Sequence, residues 1–332
     1  MTRSLEIRGS GLAAQACATL LQRFGWETNI PGFGKPAVPY LVINSLAKHL
    51  LEEVFEISAP YIHEISRRLV GHYHSPKITS VEEPAFVIAA SLLERWPAFG
   101  KARKSQAPAA WRIFAGALPP EGTLISPGAR NGWIFEGHCC AGEYSRSAIF
   151  ESLPEGWLFW APVSNSTGFI QMVVPFFPEA PGQLCRDLMK HSRMIHCRNI
   201  EIGNMLAGPF HCGAAIHSQL AGDNWIASGT SALRFDPISG DGTGTSLRSA
   251  ILACAALRAT AQFPPELCLQ YYRTRLRAAF QKHIQACEAL YQQAGLAESC
   301  KEESRYLRQT DHPEKLVAGP AFRLENYTLV TT

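Results

Sequence analysis

At 332 residues the chain is long enough to bury one large core or two closely packed ones. With 46% hydrophobic and 18% charged residues it has the composition of a soluble globular protein, which excludes a disordered or low-complexity chain. A net charge of +3 with dispersed basic residues gives no electrostatic footprint for nucleic acid, and no apolar run reaches the roughly 20 residues of a membrane-spanning helix.

The apolar stretch after Arg3 is interrupted by Glu6 and Arg8, so it does not read as a secretory signal, and the expected compartment is the cytoplasm. Ten cysteines show no C-x-x-C spacing. Most, such as Cys17, Cys254 and Cys287, stand in apolar contexts where a buried thiol is the default, and no disulfide framework is expected.

In chain order, residues 4–8 read as a short strand and residues 12–24 as a helix, with Gly9-Ser10-Gly11-Leu12-Ala13-Ala14 between them. Strand, G-x-G-x-x-A turn and helix in that order are the context of a dinucleotide fingerprint. The next strand, residues 26–30, has Glu27 early and no carboxylate at its end, where such folds hold the adenosine ribose. Residues 31–45 read as loop, 45–55 as a helix with Ser45 as N-cap, 60–83 as irregular or strand-forming, and 86–96 as a helix before an exposed basic patch at 101–104. His72-x-His74 shares one face of a strand, but no carboxylate or cysteine set accompanies it, so no metal is expected.

Residues 111–114 and 123–126 read as strands. From Trp133 to Phe177 the chain turns into a β-meander of aromatic and alternating runs, with Asn165-Ser166-Thr167-Gly168 as a hairpin turn. Residues 182–205 read as helix and 214–220 as a connecting strand.

The organising stretch is 225–259. Trp225-Ile226-Ala227 is a strand ending before Gly229; Asp236-Pro237 breaks regular structure; Gly240, Gly242 and Gly244 strip one side of a loop; and residues 245–262 form a helix stopped by Pro264-Pro265. A glycine loop feeding a helix N-terminus offers free N–H groups and the positive dipole end to a ligand. Residues 266–293 are a long amphipathic helix, and the tail from Lys301 is polar, then weakly strand-like. Two glycine loops this far apart can hold the two ends of one long dinucleotide.

Gly9-x-Gly11-x-x-Ala14, the middle β-sheet and Gly229…Asp236-Pro237-x-x-Gly240-x-Gly242 resemble the flavoprotein hydroxylases of the p-hydroxybenzoate hydroxylase fold and the tryptophan halogenases grouped with them. The run 156–162, Glu151, and Tyr272, Arg275, Phe280, His283 and Tyr291 resemble a halogenase-like subgroup that modifies tryptophan in a partner protein during maturation of quinone-cofactor oxidases. The resemblance is thin between residues 60 and 130. It implies an α/β fold: an FAD-binding Rossmann-like domain (1–60, 100–135 and 214–265), an inserted antiparallel β-sheet substrate domain (61–99 and 136–213), and a C-terminal helix and tail (266–332).

It also implies FAD, with Gly9, Gly11 and Ala14 at the pyrophosphate and Pro237, Gly240, Asp241, Gly242 and Thr243 along the flavin. Gly229, Thr230 and Asp236 complete the expected cofactor set. Thr230 stands where the family keeps an aspartate, so a charge-assisted hydrogen bond is absent there. Trp157 and Trp160 are the candidate substrate-pocket residues, although strand aromatics are usually core.

No catalytic residue stands out. Lys77 reads as an ordinary loop lysine, so halogenation is not expected. Arg234 and Arg248 read as solvated, and His211-Cys212 and His138-Cys139-Cys140 lack a carboxylate spaced to orient them. The implied function is an FAD-dependent monooxygenase that hydroxylates an aromatic substrate through a flavin C4a-hydroperoxide. The substrate is a small aromatic compound or a tryptophan side chain of a partner polypeptide, and a flavin reductase or NAD(P)H is the electron source. The alternative is a flavoprotein fold that has lost redox turnover and acts as a binding or maturation chaperone.

Overall fold

The computed structural model describes residues 4–30, 38–56, 61–91, 109–140, 145–196, 198–310 and 322–331. β1 (Ser4–Arg8) turns through Gly9 into α1 (Leu12–Arg23), and the chain returns in β2 (Glu27–Asn29), parallel to β1. α1 buries Ala13, Ala14, Ala16, Cys17 and Ala18, side chains small enough for another helix to approach closely. β3 (Tyr40–Asn44) leads into α2 (Ser45–His49) and a π-helical turn, Leu50–Val54. The expected loop over 31–45 therefore contains a strand, and the helix cap is Asn44, whose side chain accepts from the Ala47 amide at 2.8 Å.

β4 (His63–Ile65), β5 (Arg67–His72), β6 (Ser75–Val81) and β7 (Ala85–Ala89) follow. Of the helix expected over 86–96, residues 86–89 are strand and 90–91 a 3₁₀ turn, and the remainder lies outside the described residues. β7 is the middle of a three-stranded sheet, between β3 and β4, and burial from both sides makes a short apolar run look the same in either conformation. The basic patch at 101–104 lies outside the described residues. β8 (Trp111–Phe114) and β9 (Leu124–Ile125) precede the meander β10 (Asn131–His138), β11 (Ser147–Leu153), β12 (Gly156–Pro162) and β13 (Thr167–Val174).

α3 (Pro181–His191) and the short α4 (Arg193–His196) occupy only part of the expected helix 182–205. Asn199 takes φ +49°, and β14 (Glu201–His211) begins two residues later. The chain then runs β15 (Ala215–His217), β16 (Ala221–Gly222), β17 (Trp225–Ala227), β18 (Leu233–Arg234), α5 (Gly242–Ala259), α6 (Pro265–Gln293), α7 (Lys301–Thr310), β19 (Phe322–Glu325) and β20 (Thr328–Thr331).

Two large sheets organise these elements. One has the order β16-β17-β8-β1-β2, with β1 parallel to both β2 and β8 and β17 parallel to β8. Its core is shared with α1, α5 and α6; Tyr272 of α6 is fully buried and its hydroxyl donates to the Ala227 carbonyl. The other is seven-stranded, in the order β14-β10-β13-β12-β11-β5-β6.

Its back face holds Leu69, Trp133, Ile149, Leu158, Trp160, Ile170 and Met172, packed against Leu188 and Met189 of α3 and Met194 and Ile195 of α4. Glu151, buried in this sheet, accepts from the amides of Arg193 (2.9 Å) and Met194 (3.1 Å) and from the Ser192 hydroxyl. It therefore caps α4 from the sheet.

Candidate functional site

β1, β8 and β17 all end at the same edge, and three turns leave from it. Gly9, at φ +134°, follows β1, and a Cβ there would run into the Ala115 carbonyl that follows β8. Only glycine fits this turn. Gly11 is the N-cap of α1 and provides no side-chain cap, and a Cβ on it would meet no atom within 4 Å. The first N–H groups of α1 thus open onto free space at the C-terminal ends of parallel strands, the usual ligand crevice of such sheets.

After β17, Gly229 (φ +56°) brings the chain against Ala13 of α1, and its N–H donates to Ser249 Oγ at 2.9 Å. Thr230 is exposed beside it. A 3₁₀ turn, Pro237–Ser239, is capped by the Asp236 carboxylate, which accepts from the Ile238 amide at 2.9 Å, and it ends at Gly240 with φ +65°.

α5 starts at Gly242, three residues before the expected start at Thr245, because the Thr245 amide already donates to the Asp241 carbonyl at 2.9 Å. Gly242 and Gly244 are therefore in the first helical turn rather than in the loop. Asp241 gives no side-chain cap; its carboxylate pairs with Arg248 and accepts from Asn44 Nδ2 at 3.4 Å. Gly242, like Gly11, would carry a Cβ into open space.

Both uncapped helix N-termini face one cavity of about 890 Å³, within the roughly 300–1,000 Å³ of small-molecule and cofactor sites. Of the residues expected at the cofactor, Gly11, Thr230, Pro237, Gly240, Gly242 and Thr243 line it. Gly9, Ala14, Gly229, Asp236 and Asp241 do not. Gly9 and Gly229 shape turns, Ala14 is buried beneath α1, and Asp241 is held by Arg248.

Gln15, one turn into α1, lines the cavity although only 2% of its surface is exposed, and its Oε1 has no hydrogen-bond partner. An orphaned buried acceptor beside a free helix N-terminus calls for a ligand with polar groups of its own.

The second half of the cavity is the front face of the seven-stranded sheet. Val70, Phe150, Phe159, Gln171 and Ile134 are register neighbours across five strands, and all five line the cavity. Trp157, on the next row, lines it as well. Trp160 lies on the back face among the α3 contacts, as its odd separation from Trp157 along one strand requires. His72 lines the cavity; its ring stacks on His74 at 5.7 Å, and burial followed by His74 lowers its pKa. Among the described residues, no group of three or more His, Cys, Asp or Glu could hold a metal ion. Lys77 is exposed on strand β6 rather than in a loop and does not line the cavity, whereas Arg234 and Cys212 do.

Beneath the Pro237 loop lies a buried charge network that has no signature in the sequence. Arg130 Nε donates to Asp236 Oδ2 at 2.7 Å, and the same guanidinium pairs with Glu303 on α7; each of the three is no more than 1% exposed. Tyr291 donates to Asp236 Oδ2 at 3.1 Å and receives Trp157 Nε1–H at 3.2 Å. Burial opposes the charge of Arg130, but Asp236, Tyr291 and Glu303 outweigh it, and the guanidinium pKa is raised. Burial pushes the Asp236 carboxyl up, while Arg130, the Ile238 amide and Tyr291 oppose that push.

His283 accepts the Asp236 N–H on Nε2 at 2.8 Å and stacks on Phe235 with ring centroids 3.8 Å apart. Burial, then Arg130, pulls its pKa down to about 4. Asp236 is therefore an internal anchor for the loop rather than a ligand contact. Sequence reading missed Arg130 and Glu303, because an ion pair spanning α7 and a mid-chain turn follows no spacing rule.

The fold matches solved structures along nearly its whole length. One is the peptidyl tryptophan dihydroxylase QhpG, essential for tryptophylquinone cofactor biogenesis, at 16% identity and TM-score 0.75 over 100% of this chain and 86% of that one. The same fold is shared with flavin-dependent halogenases. The flavin-dependent brominase Bmp2 matches at 14% identity and TM-score 0.71, covering 93% of each chain. A geranylgeranyl bacteriochlorophyll reductase-like protein from Thermoplasma acidophilum matches at 12% identity and TM-score 0.68, covering 91% of each. No family model and no curated protein matches the sequence. The α/β fold implied by the resemblance is thus the observed one. No helix among the described residues is long and apolar enough to cross a membrane.

Proposed function

We propose that this chain is an FAD-dependent monooxygenase acting on an aromatic substrate. The carrying observation is a single cavity that joins two uncapped helix N-termini to an aromatic sheet face. The residues fit FAD. The open position at Gly11 and the free amides of α1 suit a pyrophosphate, and the amides following Gly240 at α5 suit the electron-rich edge of a flavin. Gln15 Oε1 supplies an acceptor that needs a donor. When bound, FAD supplies the oxygen activation that protein side chains cannot.

The chain's own residues do the rest. Val70, Phe150, Phe159 and Trp157 form a floor on which an aromatic ring stacks, and their apolar surface keeps water from the reacting face. The Arg130–Asp236 pair fixes the loop that presents Gly240 to Thr243. The likeness to a peptidyl tryptophan dihydroxylase supports a tryptophan side chain of a partner polypeptide as the specific substrate, with a small aromatic compound as the other form. Electrons come from a flavin reductase or NAD(P)H.

The second reading, a flavoprotein fold that serves as a maturation chaperone without turnover, is favoured by one observation. Thr230 lines the cavity where a carboxylate is expected, and its side chain has no hydrogen-bond partner among the described residues. The absorption spectrum of the purified protein separates the two. Bands near about 370 and 450 nm, native or after reconstitution with FAD, support the oxygenase. A protein that stays colourless with excess FAD refutes it.

A further inference from the structure

We infer that Arg68 is the specificity-determining cation of this cavity and selects aromatic substrates that carry a carboxylate beside the ring. The inference rests on the oxygenase reading for which half of the cavity holds substrate; the cation itself is a feature of the sheet.

β5 carries two successive arginines, and alternation sends them to opposite faces. Arg67 Nε donates to Ser147 Oγ at 3.0 Å. Arg68 lines the cavity with Val70 and His72. It is half-buried, and it makes no hydrogen bond or ion pair among the described residues. The other half-buried arginines among the described residues are engaged: Arg112 with Asn224, Arg198 with the Met194 carbonyl, Arg234 with the Thr230 carbonyl, Arg248 with Asp241, Arg258 with the Tyr327 carbonyl, Arg273 with Glu266 and Arg277 with the Ser218 carbonyl. Among the described residues, the one carboxylate lining the cavity is that of Glu83, which is exposed and forms no ion pair with them. An unpaired guanidinium next to an aromatic floor leaves its fork of donors free for a carboxylate.

Its position says where that anion lies. A Cβ on Gly240 would sit 3.9 Å from Arg68 Nη1, so the guanidinium stands at the seam between the glycine loop and the sheet. Its register partners are Val81 on β6 and, on the cavity's aromatic side, Ala148 on β11, whose side chain is small; the next row is the floor of Val70, Phe150 and Phe159. A carboxylate held in the planar fork of Arg68 leaves an attached ring over that floor, and the fork favours two parallel hydrogen bonds. The carboxylate can belong to a small aromatic acid or to an acidic residue next to an aromatic one in a polypeptide.

The test is calorimetric titration of the purified protein with two matched pairs. The first is indole-3-propionate and indole-3-propionamide; the second is acetyl-Trp-Asp-amide and acetyl-Trp-Asn-amide. The acid of at least one pair is expected to bind about tenfold or more tighter than its amide, as a charge-assisted hydrogen bond implies. The pair that shows the preference identifies the source of the carboxylate. Arg68→Met removes the preference by weakening only the acid, and Arg68→Lys keeps part of it.

Flavin content is read from the spectrum of the same samples, so a colourless protein counts against the oxygenase reading while the carboxylate preference is still measured. If Arg68→Met does not fold, Arg68→Gln carries the comparison. Equal binding of acid and amide, no binding of any of the four ligands, or a preference that survives Arg68→Met overturns the inference. Loss of flavin in Arg68→Met with the preference intact overturns it too, since the cation then serves the cofactor.

Discussion

His283 should make this protein acid-sensitive over a defined range. Its Nε2 accepts the Asp236 N–H, so the neutral ring carries its proton on Nδ1. Protonating Nε2 would set two donors against each other in a buried space that also holds Arg130. The structure therefore holds the pKa down to about 4, from an ordinary 6.5. The unfolded chain binds the proton below about 6.5 and the folded chain does not until about 4, so stability is full above the first value and falls as the pH drops toward the second. At about 1.4 kcal/mol per pH unit, the full effect is about 3 kcal/mol.

Other groups titrate over the same range, so the measurement is a difference between two proteins. His283→Gln keeps an acceptor for the Asp236 amide and does not titrate. Urea unfolding followed by tryptophan fluorescence, at several values between about pH 7.5 and 4.5, should show the wild type losing roughly 2 to 3 kcal/mol more than the variant on acidification. A stability gap that stays constant across that range would refute the buried, neutral acceptor assigned to His283.

Arg130→Met leaves Asp236 and Glu303 buried without their cation and should cost about 3–5 kcal/mol in urea unfolding; a loss below about 1 kcal/mol means that water reaches the pair. Gly242→Val should leave the melting temperature unchanged, since its Cβ meets no protein atom within 4 Å, yet abolish flavin binding by filling the cavity. Retained yellow colour would show that the cofactor does not approach α5 there. Trp160→Ala and Trp157→Ala should each destabilise by about 3–5 kcal/mol as truncations of buried side chains, but only Trp157→Ala should also weaken binding of aromatic ligands. Thermal melts should fall for both variants, and calorimetric titration with an aromatic ligand separates them.

The parts of the site that were legible in the sequence are those that backbone chemistry alone demands. Gly9, Gly11, Gly240 and Gly242 announce turns and open helix starts, because only glycine serves a positive φ or a vacant approach, and those needs are local. The sheet was legible as strands, and with period-2 counting it also yields its faces: Trp157 and Trp160, three apart, cannot share one. The helix assigned to 86–96 failed for a different reason. β7 is covered by β3 and β4 within its sheet and buried on its faces, so its sequence carries no alternation to read. β3 was missed for another reason: it is a short, half-buried edge strand next to a Gly/Pro-rich stretch.

Asp236 marks the boundary of what local reading can reach. As part of an Asp-Pro-x-x-Gly-x-Gly run it looks like a ligand contact, and its neighbours Pro237 and Gly240 do line the cavity. Its own carboxylate points the other way, to Arg130 on the sheet side and Tyr291 on α6, while its backbone N–H reaches His283. The loop is thus divided between its atoms: backbone amides face the cavity, and the one acidic side chain ties that backbone to two other parts of the chain. Because Tyr291 also receives Trp157 Nε1–H, the sheet face and the glycine loop that line the cavity hang from the same buried carboxylate. A displacement of either half is therefore opposed by the hydrogen bonds of the other, and that coupling keeps the two ends of the cavity in fixed register.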